Sequence, residues 1–158
     1  MKMRSVYIGL GANLGDRESS INAAISAIES ELVENRAFKS LKISNIYETK
    51  PWGMDEGTPK FLNCVVCLET SIDLESLLDL LLKVETDLGR TRSESEGYQS
   101  RVIDCDILCA GEEIINTEKL VVPHPHLASR QFVLKPLADL EPNLIVPGLN
   151  HTVKELLK

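Results

Sequence analysis

The chain has 158 residues, enough for one domain with its own core, and 17 Lys plus Arg against 24 Asp plus Glu give a net charge of −7. An acidic chain is poorly suited to sequence-independent nucleic-acid binding, so no nucleic-acid partner is expected. The first apolar stretch is too short for a signal peptide or a membrane span, which predicts a cytoplasmic protein without a membrane partner. We therefore expect a single domain over residues 1–158. A monomer is the expected form, although nothing in the composition determines it.

The chain begins with a predicted strand, a turn and a helix. Residues 6–10 form a short apolar run that is typical of a buried strand. Apolar residues then repeat at helical spacing from 21 to 32, behind Asp16 and Ser19 as possible caps. Two further strands are predicted over residues 41–47 and 62–70. A long loop rich in Pro and Gly separates them.

A second helix is predicted over residues 74–88, with Asp73 at its start and Gly89 as its C-terminal stop. Its apolar stripe is expected to comprise Leu74, Leu77, Leu78, Leu81 and Leu88. Glu85 interrupts that stripe, and a carboxylate at the edge of a buried face needs a partner, for which a nearby Arg is the first candidate.

The second half of the chain continues with a polar loop over 93–100 and a strand from about 102 to 108. A short return strand is predicted over 112–115, a helix over 131–140 with Pro136 as a boundary or kink, and a last helix over 152–157. The order strand, helix, strand, strand, helix, strand is that of a ferredoxin-like antiparallel sheet. We therefore predict an α+β fold with three layers.

Asp104 and Asp106 stand two residues apart within an apolar, β-branched run. In a strand this offset points both carboxylates to one face, about 7 Å apart at Cα, while Ile103, Cys105 and Ile107 point to the other. Oxygen ligands suit Mg²⁺, and paired ions serve displacements at phosphorus. A solvated strand face is the commoner meaning of Asp-x-Asp. The Arg and His residues before and after the pair favour a metal and anion site here.

Four cysteines are expected to be free thiols that pack in the core. Cys64 and Cys67 have the spacing of redox and zinc motifs, but an offset of three in a strand sends them to opposite faces. Cys105 and Cys109 are predicted to share a face, roughly 13 Å apart, which is too far for one metal ion.

Gly9, Gly11 and Gly15 follow the first strand and invite comparison with dinucleotide-binding loops. Their spacing misses that fingerprint by one residue, and the element order does not suit a parallel sheet. A tight turn that lets the backbone approach another group closely is the favoured interpretation.

His124 and His126 alternate with prolines and could be zinc ligands. In arginine-rich surroundings, a His that donates to a phosphate oxygen is the better interpretation. Several of the scarce aromatic residues fall in loops or at element ends, namely Trp52, Phe61, Tyr98 and Phe132. A flat heterocycle held between rings would explain this placement. Asn63 would share the strand face of Phe61 and could bind the polar edge of the heterocycle.

In combination, these blocks resemble the 6-hydroxymethyl-7,8-dihydropterin pyrophosphokinases of folate biosynthesis over nearly the whole chain. The blocks are Gly9-Leu10-Gly11-Ala12-Asn13-Leu14-Gly15, Tyr47-Glu48-Thr49 with Pro51, Phe61-Leu62-Asn63, Glu85 with Gly89-Arg90-Thr91-Arg92, the segment 101–108, and Val122-Pro123-His124 with 130–134. The resemblance implies transfer of a pyrophosphoryl group from ATP to the pterin's hydroxymethyl oxygen, with release of AMP.

The resemblance also implies roles for individual residues. Asp104 and Asp106 would hold two Mg²⁺. The implied ATP site comprises Glu85, Arg90, Arg92, Arg101, Ile107, His124 and Arg130, of which the first three arginines also act in catalysis together with both aspartates. The implied pterin site comprises Thr49, Trp52, Phe61, Asn63, Asp104 and Phe132. ATP and 6-hydroxymethyl-7,8-dihydropterin are the expected partners.

Two other functions stay open on the sequence alone. A metal-dependent phosphohydrolase would use Asp104, Asp106, His124 and His126 with water as the acceptor. A binding module could present aromatics from a ferredoxin-like sheet to RNA, although the net charge of −7 argues against it.

Overall fold

The computed structural model describes residues 2–49, 60–89 and 102–158. The strands in these ranges are β1 (Arg4–Ala12), β2 (Phe38–Ile43), β3 (Tyr47–Thr49), β4 (Phe61–Thr70), β5 (Asp104–Ala110), β6 (Ile115–Asn116) and β7 (Val121–Val122). The α-helices are α1 (Arg17–Glu34), α2 (Leu74–Asp87), α3 (Gln131–Leu140) and α4 (Val153–Leu156), and a 3-10 helix covers Leu127–Ser129.

The main sheet is antiparallel and has the strand order β2-β4-β1-β5, with β3 also paired to β4. The central strand β1 pairs with β4 on one side and β5 on the other. With β2 and β3 counted as one interrupted strand, this is the ferredoxin-like order. The predicted fold class is confirmed, and the antiparallel pairing of β1 excludes the parallel sheet of a dinucleotide-binding domain.

The second strand was predicted as continuous over 41–47, which is wrong. β2 ends at Ile43, opposite Val66, and β3 begins at Tyr47, opposite Asn63, so the chain holds one extra residue between them. Ser44 bridges the interruption because its N–H donates to the Val65 carbonyl and its hydroxyl accepts from the Val65 N–H. The sheet therefore bends locally, as at a β-bulge, without losing these backbone hydrogen bonds.

Two apolar cores cover the two faces of the sheet and confirm the three-layer arrangement. Core A packs one face against α1 and α2; its sheet residues include Val6, Ile8, Leu10, Cys64, Val66, Leu68, Cys105 and Ile107. Core B packs the other face against α3 and α4; its sheet residues are Tyr7, Val65, Cys67, Leu108 and Cys109. We call these the A face and the B face.

The two long helices begin as predicted at Asp side chains. Asp16 accepts from the Ser19 N–H at 3.1 Å, and Asp73 accepts from the Ser76 N–H at 2.9 Å. Ser19 is thus inside α1 and is not its cap. These hydrogen bonds also lower the pKa of both carboxyl groups, because they favour the charged form.

The buried stripe of α2 differs from the predicted one. Leu74, Leu77 and Leu81 are buried as expected, but Leu78 and Leu88 are only half-buried. The stripe is completed by Leu80, Val84 and Glu85. The core-facing side of the helix is therefore rotated slightly from the predicted position, and it includes the carboxylate.

A register shift in β5 overturns one prediction about the cysteines. Tyr7 pairs with Cys109 and Ile8 pairs with Ile107, which leaves Leu108 as an extra residue. Beyond this bulge the side chains change face, so Cys105 lies in core A and Cys109 in core B. The prediction that they share a face is wrong. The predicted opposite orientation of Cys64 and Cys67 is confirmed, and all four cysteines are free and buried.

The C-terminal third contains two smaller differences from prediction and one agreement. The return strand is β6, which covers Ile115–Asn116 instead of the predicted 112–115 and pairs with β7 in a separate hairpin. Helix α3 continues through Pro136, which cannot donate a backbone hydrogen bond to the Phe132 carbonyl. Thr152 caps α4 with a capping box to Glu155, at the predicted position.

Gly9 and Gly11 belong to β1 and not to the predicted turn. Gly15 does lie in the turn before α1, with φ of +64°. None of the helices among residues 2–49, 60–89 and 102–158 is long and apolar enough to span a membrane.

Candidate functional site

The acidic pair lies on the B face of β5, as its spacing predicted. Asp104 pairs with Gly11 and Asp106 with Gly9, and both side chains are half-buried. Between them, Cys105 points into core A. Two carboxylates therefore share one face next to two positions without side chains. This leaves room above β1 for ions or a ligand.

One row of B-face residues crosses four strands at this level. Asp104 on β5 pairs with Gly11 on β1, Gly11 pairs with Asn63 on β4, and Asn63 pairs with Tyr47 on β3. Neighbouring strands are about 4.8 Å apart, so the backbones at Asp104 and Asn63 lie roughly 10 Å apart with a glycine between them. An acidic site and an amide site thus face the same space.

Gly11 has a steric reason to be glycine. A Cβ at this position would lie 3.0 Å from Asn63 Oδ1 and 3.6 Å from a ring carbon of Phe61. The glycine allows both side chains to lie over β1. The predicted close approach to this backbone is correct, although it occurs along a strand.

Asn63 is held in one orientation by its neighbour on β3. Its Nδ2 donates to Thr49 Oγ1 at 2.5 Å. Asn63 is 9% exposed, and its Oδ1 lies on the side of Gly11. With the amide nitrogen engaged, the oxygen is the atom presented to a ligand above Gly11, where it can accept hydrogen bonds from an amino or ring N–H group.

Arg130 and Phe132 lie at the start of α3, the helix that packs on the B face. Phe132 packs against core B, on the same side of the sheet as Phe61. The Arg130 guanidinium carbon lies 5.7 Å from the centre of the Phe132 ring, within the range of a cation–π interaction. A cation and an aromatic ring are therefore adjacent at one helix end.

His124 is fixed as a hydrogen-bond donor. The His126 backbone N–H donates to its Nδ1 at 3.1 Å, so the neutral ring carries its proton on Nε2. Partial burial, followed by the positive charge of Arg130 and the neighbouring His126, lowers the pKa of His124 to about 4, with Asp104 acting in the opposite direction. At neutral pH the ring donates without carrying charge, which suits contact with an anion oxygen.

Glu85 meets the acidic strand from the A face. It is 2% exposed, and its Oε2 accepts from the Cys105 N–H at 2.8 Å. The carboxylate thus holds the backbone of β5 between Asp104 and Asp106. The arginine partner predicted for Glu85 stays a prediction, because Arg90, Arg92 and Arg101 lie outside the described residues. Trp52 also lies outside them. Their proposed roles stay predictions.

Ile107 is one of the implied ATP-site residues, but its side chain belongs to core A. A contact between this residue and a ligand on the B face would therefore involve its backbone. Within ranges 2–49, 60–89 and 102–158, no group of three or more His, Cys, Asp or Glu residues has the geometry of a metal site. The His124–His126 pair has no third zinc ligand among them.

Two contact groups were not predicted from the sequence. Arg17 contacts Glu48 and Lys60, which flank the segment 50–59. Tyr47 donates to Asp139 Oδ2 at 2.7 Å, and Lys135 lies over its ring at 4.9 Å. Both groups join residues far apart in the chain, for which a single sequence gives no periodic signal.

A separate crevice of about 500 Å³ lies between the end of α1 and the start of α2. Its acidic residues are already engaged: Glu31 pairs with Lys83, Asp79 pairs with Lys119, and Asp73 caps α2. None of its described lining residues is aromatic. The B-face region is therefore the better candidate site.

Comparison with known proteins shows the family to which the chain belongs. Residues 7–142 match the model of the 7,8-dihydro-6-hydroxymethylpterin-pyrophosphokinase (HPPK) family. The chain is 43% identical over 153 residues to a 2-amino-4-hydroxy-6-hydroxymethyldihydropteridine pyrophosphokinase of Aquifex aeolicus, covering 97% of this chain and 90% of that one. It is 42% identical over 134 residues to the enzyme of the same name from Bacillus subtilis, covering 85% and 76%.

Solved structures give the same result for the fold. The chain aligns with an HPPK-DHPS protein of Plasmodium falciparum with a TM-score of 0.70 and 16% identity, over 98% of this chain. The chain spans 45% of the length of that structure. This likeness concerns the fold alone. The family match and the identity to the bacterial relatives show that the chain is a member of the 7,8-dihydro-6-hydroxymethylpterin-pyrophosphokinase family.

Proposed function

We propose that this chain is a single pyrophosphokinase domain that transfers pyrophosphate from ATP to 6-hydroxymethyl-7,8-dihydropterin, giving AMP and the pterin diphosphate in folate biosynthesis. The reaction requires Mg²⁺. The hydroxymethyl oxygen attacks the β-phosphorus of ATP, the bond between this phosphorus and the α,β-bridging oxygen breaks, and AMP leaves. The relatives named above support the activity, and the B-face residues supply chemistry that suits it.

The row from Asp104 across Gly11 to Asn63 is the observation that carries the proposal. It combines a carboxylate pair with a site for a flat, polar ring at a separation of roughly 10 Å. A phosphohydrolase needs the carboxylates but has no use for a pocket with Asn63, Thr49 and Phe61. Transfer to a heterocyclic acceptor uses both.

The donor set of Asp104 and Asp106 fits Mg²⁺, which binds to one or two carboxylates and completes its shell with water and phosphate oxygens. We propose that these two residues hold two ions. When bound, Mg²⁺ offsets the negative charge of the phosphates, which would otherwise repel the two aspartates and the incoming oxygen. Glu85 keeps the two aspartates in place through its hydrogen bond to the Cys105 N–H.

The remaining residues bind and orient the two substrates. His124 donates from Nε2 and Arg130 supplies positive charge to the phosphates, together with Arg90, Arg92 and Arg101. Phe61 and Phe132 stack on the pterin, and Asn63 and Thr49, with Trp52, bind its edge. We propose that the active form is a monomer. Positioning and charge stabilisation supply most of the catalysis in phosphoryl transfer, so a strong general base is not required.

Product analysis with labelled ATP tests the proposal. With MgATP and 6-hydroxymethyl-7,8-dihydropterin, label in the β- or γ-phosphate should move to the pterin, whereas label in the α-phosphate should remain in AMP. AMP and pterin diphosphate should form in equal amounts, and Asp104→Ala should abolish both. ADP with a pterin monophosphate would contradict the proposal. Free phosphate with unmodified pterin would instead indicate a phosphohydrolase.

A further inference from the structure

Arg17, the first residue of α1, joins three parts of the chain. Its Nη1 donates to the Lys60 carbonyl at 2.8 Å, and its Nη2 lies 2.9 Å from Glu48 Oε2. The Lys60 ammonium lies 3.9 Å from the other oxygen of Glu48. One guanidinium thus links the start of α1 to the end of β3 and to the residue before β4.

These contacts lie directly beside two residues of the proposed pterin site. Thr49 follows Glu48, Phe61 follows Lys60, and Thr49 and Phe61 are themselves a cross-strand pair. Among the described residues, they form the last pair of the β3–β4 ladder. Terminal pairs of a ladder open more easily than central ones because fewer contacts hold them.

Movement of this pair would reach the amide that faces the ligand. Thr49 Oγ1 accepts from Asn63 Nδ2, so displacement of Thr49 releases the orientation of the Asn63 side chain. Phe61 lies beside the same glycine as Asn63. The ladder end therefore determines the positions of three side chains in the proposed pocket.

The chemistry of Arg suits this connection. Its planar fork presents several N–H groups at fixed angles, so one side chain can serve a carbonyl and a carboxylate simultaneously. A lysine can reach either partner but has no comparable fixed geometry. The side chains of Arg17 and Glu48 are 29% and 46% exposed, and such ion pairs contribute little to global stability. The effect of Arg17 is therefore local.

We propose that Arg17 is a positioning residue for the pterin-binding pocket, which it shapes by tying the end of β3 and the start of β4 to helix α1. Arg17 does not contact the substrate; it acts through Thr49 and Phe61. This inference rests on the proposed function, because it assumes that the pocket binds the pterin.

Calorimetry on six proteins tests the inference: the unchanged chain, Arg17→Ala, Arg17→Lys, Lys39→Ala, Glu48→Gln and the double variant with Arg17→Ala and Glu48→Gln. Lys39 is the matched control because it forms an exposed ion pair with Glu69 at 3.5 Å, also on the sheet. Titration with 6-hydroxymethyl-7,8-dihydropterin is carried out with Mg²⁺ and a non-hydrolysable ATP analogue present. The affinity for the analogue is measured separately, and thermal unfolding is recorded for each protein.

Arg17→Ala should weaken pterin binding about fivefold to tenfold, with unchanged affinity for the ATP analogue and a nearly unchanged Tm. Arg17→Lys should restore part of the loss, and Lys39→Ala should bind like the unchanged chain. Glu48→Gln should weaken pterin binding in the same direction, and its effect should be smaller in the Arg17→Ala background, because the two residues act through one contact.

Equal pterin affinity in the unchanged chain and in Arg17→Ala would overturn the inference while leaving the proposed function intact. Parallel losses for both ligands with a lowered Tm would also overturn it, since they would indicate general damage to the fold. If the unchanged chain itself does not bind the pterin, the proposed function fails, and the inference fails with it.

Discussion

The two faces of the main sheet carry opposite kinds of residue at adjacent strand positions. On the A face, Leu10, Cys64 and Cys105 are buried beneath α1 and α2. The neighbouring residue on each of these strands points to the B face. These residues are Gly11, Asn63 and Asp104, which form the row described above. The same three strands thus contribute to an apolar core on one side and a polar site on the other.

This difference shows how a small domain combines a rigid frame with a chemically active surface. Core A continues along the A face to the level of the site, whereas core B lies further along the strands, beneath α3 and α4. The polar residues therefore stand on strands that are fixed from behind by close packing. Substitutions on the B face at this level should alter function more than stability, and substitutions on the A face should do the reverse.

The largest effect is expected from the acidic pair. Asp104→Ala or Asp106→Ala should reduce kcat about a thousandfold or more, because several kcal/mol of charge stabilisation would be lost with the metal ions. Thermal unfolding should change little, since both side chains are half-buried at the edge of the packed region. Steady-state kinetics and Mg²⁺ titration followed by calorimetry measure the two quantities separately.

Ile28→Ala on α1 is the matched control from the other face. Ile28 is fully buried in core A, so its truncation should lower the free energy of unfolding by about 2–5 kcal/mol. Its kcat at a temperature where it remains folded should be near normal. Near-normal activity in either Asp variant, or loss of stability equal to that of Ile28→Ala, would remove the distinction between the faces.

A smaller effect is expected from the rings on the B face. Phe61→Ala and Phe132→Ala should each weaken pterin binding by roughly 1–3 kcal/mol, by analogy with bases that stack on aromatic side chains. The affinity for the ATP analogue should change much less for Phe61→Ala. For Phe132→Ala a modest change is expected, because Arg130 lies over this ring. Equal losses of both ligands in Phe61→Ala would mean that the ring only supports the fold.

Much of this arrangement follows from periodicity in the sequence. Helical and alternating spacing predicted the ferredoxin-like order, and the offset of two predicted the shared face of Asp104 and Asp106. Local hydrogen-bonding rules located the caps at Asp16 and Asp73. In each case the determining contacts lie within a few residues of one another, so a single sequence contains the information.

The errors arise where distant contacts decide the structure. The bulge at Leu108 depends on pairing with β1, and it sends Cys109 to the opposite face from Cys105. The interruption before Tyr47 depends on hydrogen bonds between Ser44 and Val65. The contacts of Arg17 likewise join segments separated by a helix and two strands. Strand pairing brings such groups together, and the spacing of residues within a segment does not predict these contacts.

Two glycines in the central strand provide a finer test of the B face. A Cβ at Gly11 would lie 3.0 Å from Asn63 Oδ1, whereas a Cβ at Gly9 would lie 3.4 Å from a Leu108 methyl carbon. Gly11→Ala should therefore displace the amide and weaken pterin binding about threefold to tenfold. Gly9→Ala should have little effect, because the Leu108 side chain can adjust. Calorimetry of both variants with the pterin decides the matter, and similar affinities would contradict the assignment of Asn63 to the pocket.

The smallest effect concerns the thiols, which lie beneath both faces and outside the proposed chemistry. Burial raises the pKa of Cys64 in core A and of Cys109 in core B to about 12, from an ordinary value of 9.0. The folded thiols thus stay protonated at a pH at which the unfolded chain already ionises. Their contribution to stability is complete below pH 9 and decreases as the pH rises from there towards 12.

Urea unfolding at pH 7 and pH 9.5 measures this contribution. At pH 9.5 each of these thiols should have lost roughly 1 kcal/mol of its stabilising contribution, and nothing should be lost at pH 7. Cys64→Ala should reduce the decrease in unfolding free energy between the two pH values by about that amount. Cys109→Ala should do the same from the other side of the sheet, because both thiols are enclosed by packed side chains. An undiminished decrease in either variant would show that its thiol is accessible to water. For Cys109→Ala, that result would mean that the part of the B face beneath α3 is also accessible to water.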